Sequence, residues 1–263
     1  MFKITSAQNP QLKAAKKLKD RKGRDSSGDF VIEGYRELSR AADVDVHTLF
    51  VCPDLYLGSN EGALIDTLYK RGATVLELPE DLFRKLSFRD RPDGLFAIAK
   101  QPNKTLSDIK LSDNPFLLVA QGIEKPGNLG SILRSCDAVG VDGCVVVDRC
   151  TDIYNPNVVR ASVGTLFTVP TVETSSDELF AYLKEHQISI VATTPDAKDE
   201  YTNVNLTGPV AIAVGTEQLG LSDEWLNAAD IKVRIPMRGQ ADSLNVASAT
   251  TLMLYEVLRQ RSI

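Results

Sequence analysis

The chain has 263 residues, 43% of them hydrophobic and 25% charged, with a formal net charge of −5. Those averages describe a globular chain of one or two domains and exclude a disordered or fibrous protein. No run approaches the roughly 18 apolar residues of a membrane helix. The opening Met1-Phe2-Lys3-Ile4-Thr5 does not read as a signal peptide, so a cytoplasmic protein with no membrane partner is expected. Cys52, Cys136, Cys144 and Cys150 form no C-x-x-C pair, and only His47 and His186 could join them. That set argues against a zinc framework, disulfide stapling or Ser-His-Asp chemistry, and no metal is expected.

Along the chain, the first feature is a charge cluster. Lys13, Lys16, Lys17, Lys19, Arg21, Lys22 and Arg24 stand against one acid, Asp20. Charge alone leaves two readings, a local anion-binding patch or a solvated helix face beside a flexible Arg24-Asp25-Ser26-Ser27-Gly28 turn. Phe30-Val31-Ile32-Glu33-Gly34 then reads as a strand feeding a helix through Tyr35 to Ala42. Strands at 49–52, 74–78 and 95–99 alternate with helices at 63–71 and from Pro79, which makes a small α/β unit. The polar Lys100-Gln101-Pro102-Asn103-Lys104-Thr105 is the linker, so domains are expected at 1–103 and 104–263.

The second part is more regular. Apolar strand runs at 115–120, 143–147, 188–192, 210–214 and 231–235 are separated by helical patterns at 129–139, 155–164, 176–185 and 223–228. A long helix over 244–261 ends the chain. Continuous apolar strands between helices predict a parallel sheet covered on both faces, with ligands beyond the strand C-termini.

Three loops lie at such ends. Gly122 to Ser131 contains Gly127 and Gly130 and leads into a helix with Arg134; an ordinary glycine-bearing turn would look the same. Gly215-Thr216-Glu217-Gln218-Leu219-Gly220-Leu221-Ser222 nearly spells a phosphate-binding P-loop but has Leu221 in place of the lysine. No G-x-G-x-x-G is present, so the usual dinucleotide fingerprint is also missing. Ile235 to Asn245 runs into the last helix, and Ser243 or Asn245 could cap it.

In this order, the three loops resemble the motifs of the SpoU-type (TrmH-like) RNA ribose 2'-O-methyltransferases of the SPOUT superfamily. The matching residues are Asn128-Leu129-Gly130 with Arg134, then Val214-Gly215-Thr216-Glu217 with Gly220-Leu221-Ser222. Ile235-Pro236-Met237 with Ser243-Leu244-Asn245-Val246 completes the set. Residues 4–24 and 30–38, with Phe30-Val31-Ile32-Glu33-Gly34, resemble the RNA-binding α/β/α sandwich often fused ahead of that domain. The resemblance implies a parallel α/β sheet closed by a deep trefoil knot, a homodimer, and S-adenosylmethionine as cofactor. Val214, Gly215, Gly220, Ile235, Met237 and Leu244 would hold the cofactor.

Arg134, Asn128, Glu217, Ser243 and Asn245 take the catalytic positions by the same resemblance. Arginine keeps its charge in proteins, which favours Arg134 as the group that orients a phosphate and stabilises developing alkoxide charge. A general-base role for it is the alternative. Asn128, Ser243 and Asn245 supply neutral hydrogen bonds, and Glu217 accepts from a loop backbone group or from Asn128, or only holds its loop. Lys13, Lys16, Lys17, Arg21, Lys22, Arg24 and Arg160 are the expected RNA contacts, with Arg89 and Arg91 as secondary candidates. The expected activity is ribose 2'-O-methylation of structured RNA, with ribosomal RNA preferred over transfer RNA. Its rivals are a non-catalytic RNA-binding assembly factor, a transfer-RNA ribose methyltransferase and a base methyltransferase. Cys136 and Cys144 are expected as packed thiols and Trp225 as a packing residue.

Overall fold

In the computed structural model, which describes residues 2–148 and 151–262, the basic segment forms two short helices. Cys150 lies outside the described residues. The Asn9 side chain accepts from the Gln11 amide and starts α1 (Pro10–Lys17), with Pro10 in the first turn, where its missing N–H is harmless. Leu12 and Ala15 are buried, which turns Lys13, Lys16 and Lys17 outward. A second helix, α2 (Arg21–Ser27), ends at Gly28 with φ of 66°, a left-handed cap that glycine adopts without strain. The expected flexible turn is therefore a helix and its cap.

The first unit is built on a five-stranded mixed sheet. It contains β1 (Phe2–Lys3), β2 (Asp29–Glu33), α3 (Tyr35–Arg40), β3 (Val46–Val51), α4 (Glu61–Lys70), β4 (Thr74–Glu77), α5 (Glu80–Leu86) and β5 (Leu95–Lys100). The strand order is β1-β4-β3-β5-β2, with β5 antiparallel to both neighbours. Leu12, Ala15 and Leu18 bury against Phe50, Leu76, Phe83 and Phe96 in one apolar cluster.

The second unit carries the parallel sheet. Its elements begin with β6 (Phe116–Gln121), α6 (Pro126–Val139) and β7 (Gly143–Val147). The chain next contributes α7 (Pro156–Ser162) to the first unit, then continues with β8 (Thr171–Thr174), α8 (Ser176–Glu185), β9 (Ser189–Thr193) and β10 (Asp199–Glu200). It ends with β11 (Val210–Val214), α9 (Asp223–Ala228), β12 (Ile231–Arg234) and α10 (Val246–Arg261). All seven strands are parallel, in the order β10-β12-β9-β11-β6-β7-β8. The strand β11 is fully buried as Val-Ala-Ile-Ala-Val, the unbroken apolar run expected of a strand covered on both faces.

The two units divide at Asn103/Lys104, but Asp152–Phe167 belongs to the first. The expected contiguous second domain is therefore interrupted. Phe30 explains the capture, because its ring packs 4.7 Å from Tyr154 and 6.0 Å from Phe167. Trp225 is fully buried and donates to Ser176 Oγ at 2.8 Å, so it is a packing residue. Cys136 and Cys144 are buried free thiols, and burial pushes the Cys136 thiol up.

Candidate active site

Adjacent strands of the parallel sheet deliver their C-terminal loops to one place. The end of β6 is pinned by Gln121, which donates to Asp148 Oδ2 at 2.6 Å and Ser222 Oγ at 2.8 Å, and accepts from the Ser222 amide at 2.9 Å. Gly122 follows with φ of 62°; a methyl there would press on Thr216 Cγ2 at 2.9 Å. After β11 the chain closes on itself. Thr216 N–H donates to the Gly220 carbonyl at 3.0 Å, and Gly220 N–H returns to the Thr216 carbonyl at 3.1 Å. The Leu219 amide donates to Thr216 Oγ1 at 3.0 Å. A methyl on Gly215 would overlap the backbone of Gly220 and Leu221, so this loop admits only glycine at its base.

Beyond these strand ends is a cavity of about 400 Å³. Val214, Gly215, Gly220, Ile235, Met237 and Leu244, the six residues expected around a cofactor, all line it, and so do Glu217 and Ser243. The sequence reading missed Thr193, Thr194, Pro195 and Asp196, which line it from the end of β9. Their signal was position alone, a loop at the C-terminus of a parallel strand. Thr193 Oγ1 is buried without a hydrogen-bond partner. An orphaned hydroxyl and a backbone cradle with no room for a methyl suit an extended polar cofactor with an apolar ring. The volume falls in the range of small-molecule sites.

A polar relay borders the cavity. Asn128 Nδ2 donates to Glu217 Oε1, and Asn245 Nδ2 donates to Asn128 Oδ1 at 3.2 Å. Asn245 also caps α10 by accepting from the Ala247 amide at 3.0 Å, so capping and relay are both true of it. The helix accordingly starts at Val246, and Ser243 and Leu244 remain in the exposed loop before it. Arg134 stands apart. It is exposed on α6, does not line the cavity, and has no hydrogen-bond or ion-pair partner among the described residues.

In the first unit, Lys13, Lys16, Lys17, Arg21 and Lys22 are exposed, Arg21 sharing a 3.5 Å surface pair with Asp25. Arg24 is a correction. Its side chain is 1% exposed, ion-paired with Asp152 at 2.7 Å, and donates to the Leu18 and Lys19 carbonyls at 2.7 and 2.8 Å. Every part of its charge is used inside the fold, so it has nothing left for a phosphate. Arg160 is exposed and donates to Asn157 Oδ1 at 3.0 Å, while Asn155 caps α7. Arg89 is paired with Glu37 at 2.8 Å; Arg91 is exposed.

Comparison with known proteins matches residues 115–255 to the profile of the SpoU rRNA Methylase family. That span is more than half of the chain. The chain belongs to the SpoU rRNA methylase family. Residues 9–97 match a second profile, the MRM3-like substrate binding domain. A curated relative, the 23S rRNA (uridine(2479)-2'-O)-methyltransferase of Streptomyces viridochromogenes, is 31% identical over 93% of this chain and 87% of its own. A crystal structure of an RNA 2'-O ribose methyltransferase is 44% identical over the whole of both chains, with a TM-score of 0.85. The SpoU methyltransferase AviRb from Streptomyces viridochromogenes, in complex with the cofactor AdoMet, is 30% identical over 97% of this chain and 99% of that one. Its TM-score is 0.88. The SpoU profile contains all three loops and the relay between them, so the family's motifs and the cavity occupy one place.

Proposed function

We propose that this chain is an S-adenosylmethionine-dependent methyltransferase acting on a ribose 2'-hydroxyl of ribosomal RNA, as a cytoplasmic homodimer. The observation that carries the reading is the cavity at the strand ends, lined by all six residues that the family's motifs assign to the cofactor. Gly215, Gly220 and the loop between them would hold the cofactor through backbone groups, and Thr193, Ile235, Met237 and Leu244 would complete its walls. The bound cofactor supplies an electrophilic sulfonium methyl. In the family's architecture the segment after β12 would thread through a preceding loop to make the trefoil knot.

The chain's own task is to present the hydroxyl and manage its charge. The relay Asn245–Asn128–Glu217 fixes three side chains, from the cap of α10, the first turn of α6 and the loop after β11, in one geometry. Preorganisation of this kind recovers about 7–11 kcal/mol of barrier when reactants are aligned. Ser243 would add a neutral hydrogen bond at the ribose. Arg134, a permanent cation, would orient the adjacent phosphate and stabilise negative charge on the attacking oxygen. Arg134 is exposed and outside the cavity lining within one protomer, which supports a site completed by a second copy. Leu252 and Tyr255, 39% and 48% exposed on α10, supply an apolar stripe for that contact, and α10 packs along the helix that carries Arg134. The first unit would be the RNA-binding domain, through Lys13, Lys16, Lys17, Arg21 and Lys22, with Arg160 as a further contact.

The test is methyl transfer from labelled S-adenosylmethionine to ribosomal and transfer RNA from cells lacking the protein, followed by nuclease digestion. The expected result is label in a 2'-O-methyl nucleoside of ribosomal RNA, lost with Arg134→Ala. Label in a base would overturn the ribose assignment. Neither label nor cofactor binding would leave an RNA-binding protein without an enzyme.

A further inference from the structure

Five buried side-chain polar atoms among the described residues lack a hydrogen-bond partner. Three of them, Glu61 Oε2, Asp93 Oδ1 and Arg89 Nε, belong to residues that line one cavity of about 470 Å³ in the first unit. Unsatisfied buried groups are rare in folded proteins, and each asks for an explanation. Three on residues that line one cavity point to a ligand. Each of these side chains is held by the fold through its other atoms. Arg89 is ion-paired with Glu37 Oε1 at 2.8 Å and donates to the Glu33 carbonyl. Asp93 Oδ2 accepts the Tyr35 amide at 2.8 Å, and Glu61 Oε1 accepts the Gly58 amide at 2.9 Å. Glu61 is only 4% exposed, so its idle oxygen is not a surface carboxylate waiting for water. No group of three His, Cys, Asp or Glu among the described residues could hold a metal ion. The idle acceptors therefore call for N–H or O–H donors, and a base edge supplies the first kind.

The idle set is two carboxylate acceptors and one guanidinium donor. Among the four RNA bases, the Watson–Crick edge of guanine alone offers the complement, two N–H donors beside one carbonyl. Uracil and cytosine present one donor group and two acceptors, and adenine lacks the carbonyl. The rim suits a base as well. Leu57 is 83% exposed, Tyr35 is half-buried and Arg36 is exposed, which gives apolar and aromatic surface for a ring and a cation for its phosphate. We propose that this cavity takes an unpaired guanine of the RNA substrate, with Arg89 donating to O6 and the Asp93 and Glu61 carboxylates accepting from N1–H and the 2-amino group. The inference rests on the RNA-substrate reading above. The three idle atoms are screened from water in the free chain, so entry of the base requires a small parting of the lining side chains.

The test is fluorescence anisotropy with short single-stranded RNAs that differ at one central G, A, C, U or inosine, with ribosomal-RNA methylation measured on the same preparation. The G-centred RNA should bind at least about tenfold tighter than the A-, C- and U-centred ones, a difference of about 1.4 kcal/mol. Inosine, which lacks the 2-amino group, should fall between. Glu61→Gln and Asp93→Asn keep an amide oxygen for Gly58 and Tyr35, and each should move the G-over-U ratio toward one. A wild-type ratio near one overturns the pocket, as does an unchanged ratio in both variants at intact unfolding midpoints. Methylation without base preference removes the pocket and keeps the enzyme; base preference without methylation does the reverse.

Discussion

Arg24 and Asp152 show how a charge can serve the fold instead of the ligand. Their 2.7 Å pair has side-chain exposures of 1% and 3%, and Asp152 Oδ1 also accepts the Tyr154 amide at 2.8 Å. Removing one partner of such a pair strands a buried charge, which costs about 3–5 kcal/mol. Arg24→Ala should therefore lower the chemical-denaturation stability by that amount, whereas Lys13→Ala on the exposed face should change it by less than about 0.5 kcal/mol. Equal, small effects from both would return Arg24 to the surface. Glu33 gives a pH signature. Burial raises its carboxyl above the ordinary 4.5, against lowering by its bonds from Ser87 and the Phe88 amide and by Arg89. A raised acid binds its proton more tightly folded than unfolded, so its contribution is full below about 4.5 and is lost as pH rises through the folded value. Stability measured across that window should shift against the wild type, relative to Glu33→Gln, as pH increases. A difference that is flat or moves the other way would contradict burial as the dominant cause.

At the scale of elements, the loop between β11 and α9 is the part with least tolerance. Gly215 faces backbone atoms, which cannot move aside as a side-chain end can. Gly215→Ala should open the Thr216–Gly220 closure and raise the S-adenosylmethionine dissociation constant at least about tenfold, read by calorimetry. Gly122→Ala meets only a threonine methyl, but it also forces a side chain onto φ of 62°; its effect should be smaller. On α10, Leu252→Asp combined with Tyr255→Ser should convert a dimer to a monomer by light scattering and abolish methyl transfer. A monomeric wild type would sink that reading. These elements differ in how far the sequence announced them. The apolar run Val210–Val214 and its neighbours are legible because a strand buried on both faces must be continuously apolar. β1 and β10, two residues each, are not legible, since their only support is the strand they pair with. The same holds for Asp152–Phe167, whose capture by Phe30 and Arg24 joins residues more than a hundred positions apart. The relay was legible as residue types, but its connections came from tertiary packing.

For the whole molecule, the question is how an acidic protein holds a polyanion. Seven cations and one acid give Lys13–Arg24 a net charge of +6, which leaves −11 for the remainder of a chain whose total is −5. Screening confines each patch to about 8 Å at physiological salt, so the acidic remainder does not cancel the basic face; it would repel RNA elsewhere and favour one docking orientation. With Arg24 buried, six cations remain exposed in this segment. Each phosphate contact with single-stranded RNA contributes about −0.7 to the slope of log affinity against log salt. Replacing Lys13, Lys16 and Lys17 together with glutamine should flatten that slope by about 2 if all three meet phosphates. The loss should be alike for G- and U-centred oligonucleotides, because phosphate contacts carry no sequence information. Glu61→Gln should do the opposite, changing the base preference while leaving the salt slope in place. A triple variant with an unaltered slope would mean that Lys13, Lys16 and Lys17 only solvate α1, and the phosphate contacts would have to come from Lys19, Arg21, Lys22 or Arg160.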